Sequence, residues 1–198
     1  ITATSALGDL SLGGTASARG LFGVGGAITI SAPGESWEFG GSALDVSGAT
    51  DCGTIRNIVG QKLVSSASYL ARGESGFGGK IDATAANMFL LSSVFDASGF
   101  AGGGSIRLGG GGQKADALPI AQHIWTNESV ALDVGVRGLR GNGGTVAISS
   151  DQEAVLSGHV DARPGLISGE SGLVTVSSLK AINWTGSVEN VSNGRRGG

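Results

Sequence analysis

Six side chains able to grip a polar ligand stand close together in one stretch of the chain: Gln113, Lys114, Asp116, Gln122, His123 and Trp125. An aromatic ring offers a flat apolar face, and amides, imidazole and charged groups bond hydroxyls. That mixture suits a carbohydrate, with Trp125 and His123 the expected contacts and Gln122, Lys114 and Asp116 in support. A plainer reading is an irregular loop whose Ile120, Ile124 and Trp125 cover an apolar edge. A second set is spread along the chain, where Arg19, Arg72 and Arg137 alternate with Asp45, Asp96 and Asp161. If the two kinds lie on neighbouring strands, Arg19 pairs with Asp45, Arg72 with Asp96 and Arg137 with Asp161. Such pairs read as a solvated charge ladder worth about 0–1 kcal/mol each, or as a row of arginines for an anionic ligand.

Other chemistry has little support. With His123 and His159 the only histidines and no Gly-x-Ser-x-Gly elbow, a nucleophilic triad is not expected. One cysteine, Cys52, and two distant histidines make no metal constellation, so no metal and no cofactor are expected. The sixteen acidic residues are dispersed, whereas sugar cleavage needs two or three carboxylates converging on one point. The expectation is therefore a binding or structural protein, with a polysaccharide-active enzyme as the rival. Net charge is −3 with mixed signs, which gives no basic stripe for nucleic acid or anionic lipid. No apolar run approaches the length of a membrane span, so membrane insertion is not expected. Sequons stand at Asn127, Asn183 and Asn190.

The elements that must position these residues follow from a repeat. Apolar or small residues one apart recur as Ile1/Ala3, Ile28/Ile30, Ile55/Asn57, Ile81/Ala83, Ile106/Leu108, Val146/Ile148 and Val174/Val176, at intervals of 27, 27, 26, 25, 40 and 28 residues. A second marker runs in phase: Ala18-Arg19, Val46-Ser47, Ala71-Arg72, Ala97-Ser98, Val136-Arg137 and Ala162-Arg163. A constant period in this range, with alternation inside each unit, predicts stacked coils of short strands. Glycine is 38 of 198 residues without the collagen period, and 40% apolar residues at fixed phases can bury a core. The reading is an all-β parallel β-helix of about seven coils over residues 1–198, with one insertion at 109–127 in coil five.

Two inward rows are expected before the second marker: Ala16, Leu44, Tyr69, Phe95, Val134, Val160 and Val188, and Leu12, Phe39, Val64, Leu91, Val130, Leu156 and Trp184. A bulge is expected near Gly40-Gly41. The chain opens on a strand and closes on Gly197-Gly198, the turn that precedes other coils, so it is expected to belong to a longer repeat protein. Uncapped ends are expected to associate end to end.

The motifs Gly143-Gly-Thr-Val-Ala-Ile-Ser-Ser150, Leu156-Ser-Gly-His-Val-Asp-Ala-Arg163 and Ser171-Gly-Leu-Val-Thr-Val-Ser-Ser178 resemble the passenger repeats of filamentous-haemagglutinin-like adhesins, the large exoproteins of bacterial two-partner secretion. The resemblance implies a right-handed helix, export to the outer cell surface, and attachment to host or bacterial receptors or to polysaccharide. No Arg-Gly-Asp occurs, so it names no receptor.

Overall fold

In a computed structural model, which describes residues 1–110 and 118–191, the chain is a parallel β-solenoid of about seven coils without a helix among the described residues. Each coil contributes a strand segment to each of three rows, and each segment pairs in parallel with its counterparts in the adjacent coils. The first row holds Thr2–Thr4, Ala27–Ala32, Thr54–Val59, Lys80–Thr84, Ser105–Leu108, the front of Thr145–Leu156, and Leu173–Ser178. The second row holds Leu10–Leu12, Glu35–Glu38, Lys62–Ser65, Asn87–Leu90, Ala121–Thr126, the back of Thr145–Leu156, and Ala181–Trp184. The third runs from Thr15–Ser17 to Ser187–Glu189.

Alternation decides what each coil buries. Ile28, Ile55, Ile81, Ile106 and Val146 stack in register and are almost wholly enclosed, as the sequence predicts for the first marker. In the third row Leu44, Tyr69, Phe95, Leu132 and Val160 form the matching column, and the Tyr69 and Phe95 rings stack with centroids 4.4 Å apart. A coil buries these residues only against its neighbours, so core formation and stacking are one event.

Each coil closes on itself through a glycine. The N–H of Gly26, Gly53, Gly79, Gly104, Gly144 and Gly172 donates to the carbonyl of Ala18, Val46, Ala71, Ala97, Val134 and Ala162 respectively, at 2.7–3.0 Å. These glycines also sit directly over one another. A Cβ on Gly53, Gly79, Gly104, Gly144 or Gly172 would stand 1.6–2.4 Å from the carbonyl oxygen of the glycine one coil earlier. The glycine recurring before each first-row strand from Ala27–Ala32 onward is therefore a steric requirement of coil stacking.

Three expectations need correction. Coil five is phased two residues differently: Leu132, not Val134, pairs with Phe95 and Val160, and Val134-Gly135 takes the place expected for Val136-Arg137. Val134 is nonetheless buried, because a slip of two keeps a residue on its face. In the second row Phe39 is exposed and Val64 and Leu91 are half-buried, while the inward residues are Leu12, Glu38, Ser65, Leu90 and Thr126 in one column and Leu156 with Trp184 beyond. Three of these are polar, which hid the column from a reading that places apolar residues inside. Finally, Gly40-Gly41 is a turn, with Gly41 at φ +88°, and the bulge lies between Ala121 and His123, where the N–H groups of Gln122 and His123 both donate to Ala86 O.

Candidate ligand-binding faces

The insertion is shorter than 109–127. From Ala121 the chain is back in the stack, so Gln122, His123 and Trp125 stand on a regular strand of the second row and not on a protruding loop. Ile124 points into the core between Met88 and Ala154, and Trp125 and His123 consequently point out. Trp125 is 39% exposed, and His123 Nδ1 lies 3.1 Å from Asn87 Oδ1. Gln122 is exposed at the bulge. Lys114 and Asp116, with Gln113, lie outside the described residues. Where the insertion is described it folds down: Leu118 is buried and Pro119 O accepts a bond from Thr84 Oγ1 at 2.6 Å.

Register gives Trp125 neighbours that were not singled out. Phe89 pairs with it, Val64 pairs with Phe89, and Trp37 pairs with Val64, all outward. The signal was present as a recurring triplet of polar, inward and apolar residues: Glu35-Ser-Trp37, Lys62-Leu-Val64, Asn87-Met-Phe89, His123-Ile-Trp125 and Glu153-Ala-Val155.

The charge ladder stands in part. Arg19 and Asp45 are 3.5 Å apart and Arg72 and Asp96 3.6 Å, across adjacent coils. Arg137 does not meet Asp161. Because of the two-residue phase it lies beyond the ladder, 3.6 Å from Glu74 Oε2 and donating to Gly73 O at 2.6 Å, while Asp161 is held by Arg163 of its own coil. At these exposures each ladder pair contributes about 0–1 kcal/mol.

What the rephasing brings together is a column of acids, Asp96, Asp133, Asp161 and Glu189, in successive coils. Asp133 escaped sequence reading because Val134 was set in the place of Leu132. Each aspartate accepts the N–H two residues on, as in Asp45 with Ser47, Asp96 with Ser98, Asp133 with Gly135 and Asp161 with Arg163. Asp133 alone has glycine at that second position, so no side chain of its own turn shields it. Burial, together with the Asp96 and Asp161 charges above and below, pushes its carboxyl up to about 6 against the bond from Gly135. A carboxyl raised on folding stabilises the fold fully below its unfolded value near 4, and this contribution is lost as pH rises toward 6. Asp133→Asn should remove that decline, as read from thermal midpoints between pH 4 and 7.

Inside the solenoid a second carboxyl is enclosed. Glu38 accepts from Asn57 Nδ2 at 2.7 Å, from Ser65 Oγ at 2.8 Å and from the Tyr69 hydroxyl. Burial drives its proton affinity up more than these donors lower it. The sign is again that of a raised carboxyl, so rising pH should weaken coils two and three. Glu38→Gln should flatten that dependence in urea melts from pH 5 to 9, and an unchanged slope would place the titration elsewhere.

Cys52 is free, and burial pushes its thiol up to about 11, which makes it a poor nucleophile. Among the described residues no group of three or more His, Cys, Asp or Glu is placed to hold a metal ion, and no helix is long and apolar enough to cross a membrane. No protein-family model and no curated protein matches the chain.

Proposed function

We propose that this solenoid is a structural and adhesive segment of a large secreted or surface-displayed bacterial exoprotein, attaching to cells or to matrix polysaccharide. The observation that carries the reading is an apolar ridge along the glycine-rich corner. Leu21, Phe22, Val24, Phe77, Phe100, Leu139, Leu166 and Ile167 are all at least half exposed there, with Phe22 at 97%. Phe77, Phe100 and Leu139 belong to the turns of three successive coils, so the ridge follows the solenoid axis. Phe77, Phe100, Leu139, Leu166 and Ile167 occupy coils three to six, while Leu21, Phe22 and Val24 form a separate group in coil one, and surfaces rarely leave such runs of large apolar side chains open unless something docks on them. The motif resemblance supports the same setting, two-partner export included. Beads carrying the protein should adhere to target cells, and the Phe77→Ser/Phe100→Ser/Leu139→Ser variant should lose most of that adhesion with its melting unchanged. Equal adhesion by the variant would remove the reading.

End-to-end association belongs to the same proposal. Among the described residues the strands of coils one and seven pair on one side only, which leaves open edges. Sedimentation should show mass rising with concentration, and a monomer throughout would rule association out.

A polysaccharide-active enzyme is the second reading, favoured by one observation: Asp96, Asp133 and Asp161 stand in register in successive coils, and the burial that raises Asp133 to about 6 lets it keep a proton in mildly acidic conditions beside two carboxylates. Release of reducing ends or unsaturated products from a polysaccharide panel, abolished in Asp133→Asn, would establish it. No product from any polysaccharide would remove it.

A further inference from the structure

The outward file of the second row is continuous over five coils. Trp37, Val64, Phe89, Trp125 and Val155 follow one another in successive coils, fixed by continuous pairing. The three rings are 39, 38 and 39% exposed. Among the described residues the one stacked ring pair is Tyr69 with Phe95, so Phe89 and Trp125 do not spend their faces on another ring. On one side run Glu35, Lys62, Asn87 and His123, and on the other Phe39, Ser66, Leu91, Asn127 and Ser157, of which Phe39 is exposed and Leu91 half-buried.

We propose that this file seats a neutral polysaccharide of flat, equatorially substituted sugar rings, lying along the solenoid axis. Width is the first argument. At Val64, Trp125 and Val155 the apolar strip is one side chain wide with polar groups on both borders, and it widens to two only beside Trp37 and Phe89, which is narrower than the contiguous apolar core on which a protein partner docks. A pyranose chain has the matching cross-section, with C–H faces for the rings and hydroxyls directed to either side. Geometry is the second. Strand spacing sets the side chains about 4.8 Å apart on a straight line, so a stiff linear polymer meets several in one pose and its weak contacts add. Charge is the third. Lys62 is 2.8 Å from Glu35, and its ammonium also lies 5.2 Å from the centre of the Trp37 ring. Asn87 and His123 bond one another, and Glu153 follows His123. The border thus carries no net positive charge to attract an anionic polymer, while the exposed His123 imidazole keeps its second nitrogen for a hydroxyl.

The inference deepens the adhesive reading by naming a ligand class, and rests on that reading only for its setting. Cellohexaose and chitohexaose, as neutral probes, and hexagalacturonate, as an anionic one, would be titrated calorimetrically into the whole chain. The neutral probes should bind and the anionic one should not. Phe89→Ala/Trp125→Ala should weaken binding by about ten-fold or more, and its outward positions should leave the thermal midpoint unmoved. Should that variant melt early, Val64→Trp provides an independent arm, because it fills the gap between two rings and should tighten binding several-fold. The proposal is overturned by absence of heat with both neutral probes, by preference for hexagalacturonate, or by unaltered affinity in a stably folded double variant or in Val64→Trp. Adhesion to cells measured in parallel separates the two readings. Adhesion without neutral-sugar binding removes the ligand and keeps the adhesive role, and loss of adhesion in the ridge variant alone leaves the sugar file standing.

Discussion

Replacing Phe95 by alanine should lower the stability of the solenoid by about 3–5 kcal/mol, as read from urea unfolding. The ring is wholly enclosed, pairs in register with Tyr69 and Leu132, and stacks on Tyr69 at an interplanar angle of 8°. Its removal takes contacts from the coils on both sides and leaves a void that the narrow interior, held by backbone bonds on every face, cannot close. Phe89→Ala, in the same coil, is the control. That ring faces outward, and its loss should change stability by less than about 1 kcal/mol. A loss below about 1 kcal/mol at Phe95, or equal losses at the two positions, would contradict the orientation of both strands.

Gly53→Ala is expected to be still more damaging, on the order of 4 kcal/mol or beyond. The added methyl would stand 1.6 Å from Gly26 O, 2.7 Å from Gly26 C and 2.9 Å from Gly25 C, all backbone atoms, with no flexible side chain to yield. Relief requires coil three to lift from coil two, which breaks the bond from Thr54 N–H to Gly26 O. Gly14→Ala, where nothing lies within 4 Å of the added carbon, should be close to neutral. The pair would be compared by thermal melting and by trypsin susceptibility, and equal behaviour would mean the corner tolerates side chains.

Much of this architecture can be read without coordinates, for a specific reason. Two markers of different composition keep the same period, and each has a mechanical cause: the first is the enclosed first-row column, the second the carbonyl that closes each coil onto its glycine. Coil five escaped because both Val134 and Val136 satisfy the alternation, and only pairing with Asp96 and Asp161 chooses between them. Glu38 escaped because its enclosure depends on Asn57, Ser65 and Tyr69, which come from three other strands and are invisible to local pattern. Trp125 and His123 were found by residue type and set in the wrong element, since an insertion announces its length but not the point where pairing resumes. Phe89 and Trp37 were missed because an exposed aromatic is recognised only once its neighbours in adjacent coils are known.

The parallel pairing of every coil with the next has a mechanical consequence. Strands lie across the axis, so the hydrogen bonds between coils run along it, and a pull on the two ends loads them in tension and not in shear. Under such a load the bonds of one coil open together while those further along still carry full force. The rod should therefore come apart coil by coil, each of the shorter repeats releasing 25–28 residues, or roughly 80–100 Å of extended chain. Coil five, with its 40-residue repeat, should give one longer step near 140 Å, a mark by which its rupture could be recognised in a single-molecule force trace. A tether built this way yields in increments, lengthening several-fold before the last coil fails, and so dissipates a sudden tug that would tear a stiff attachment from its surface.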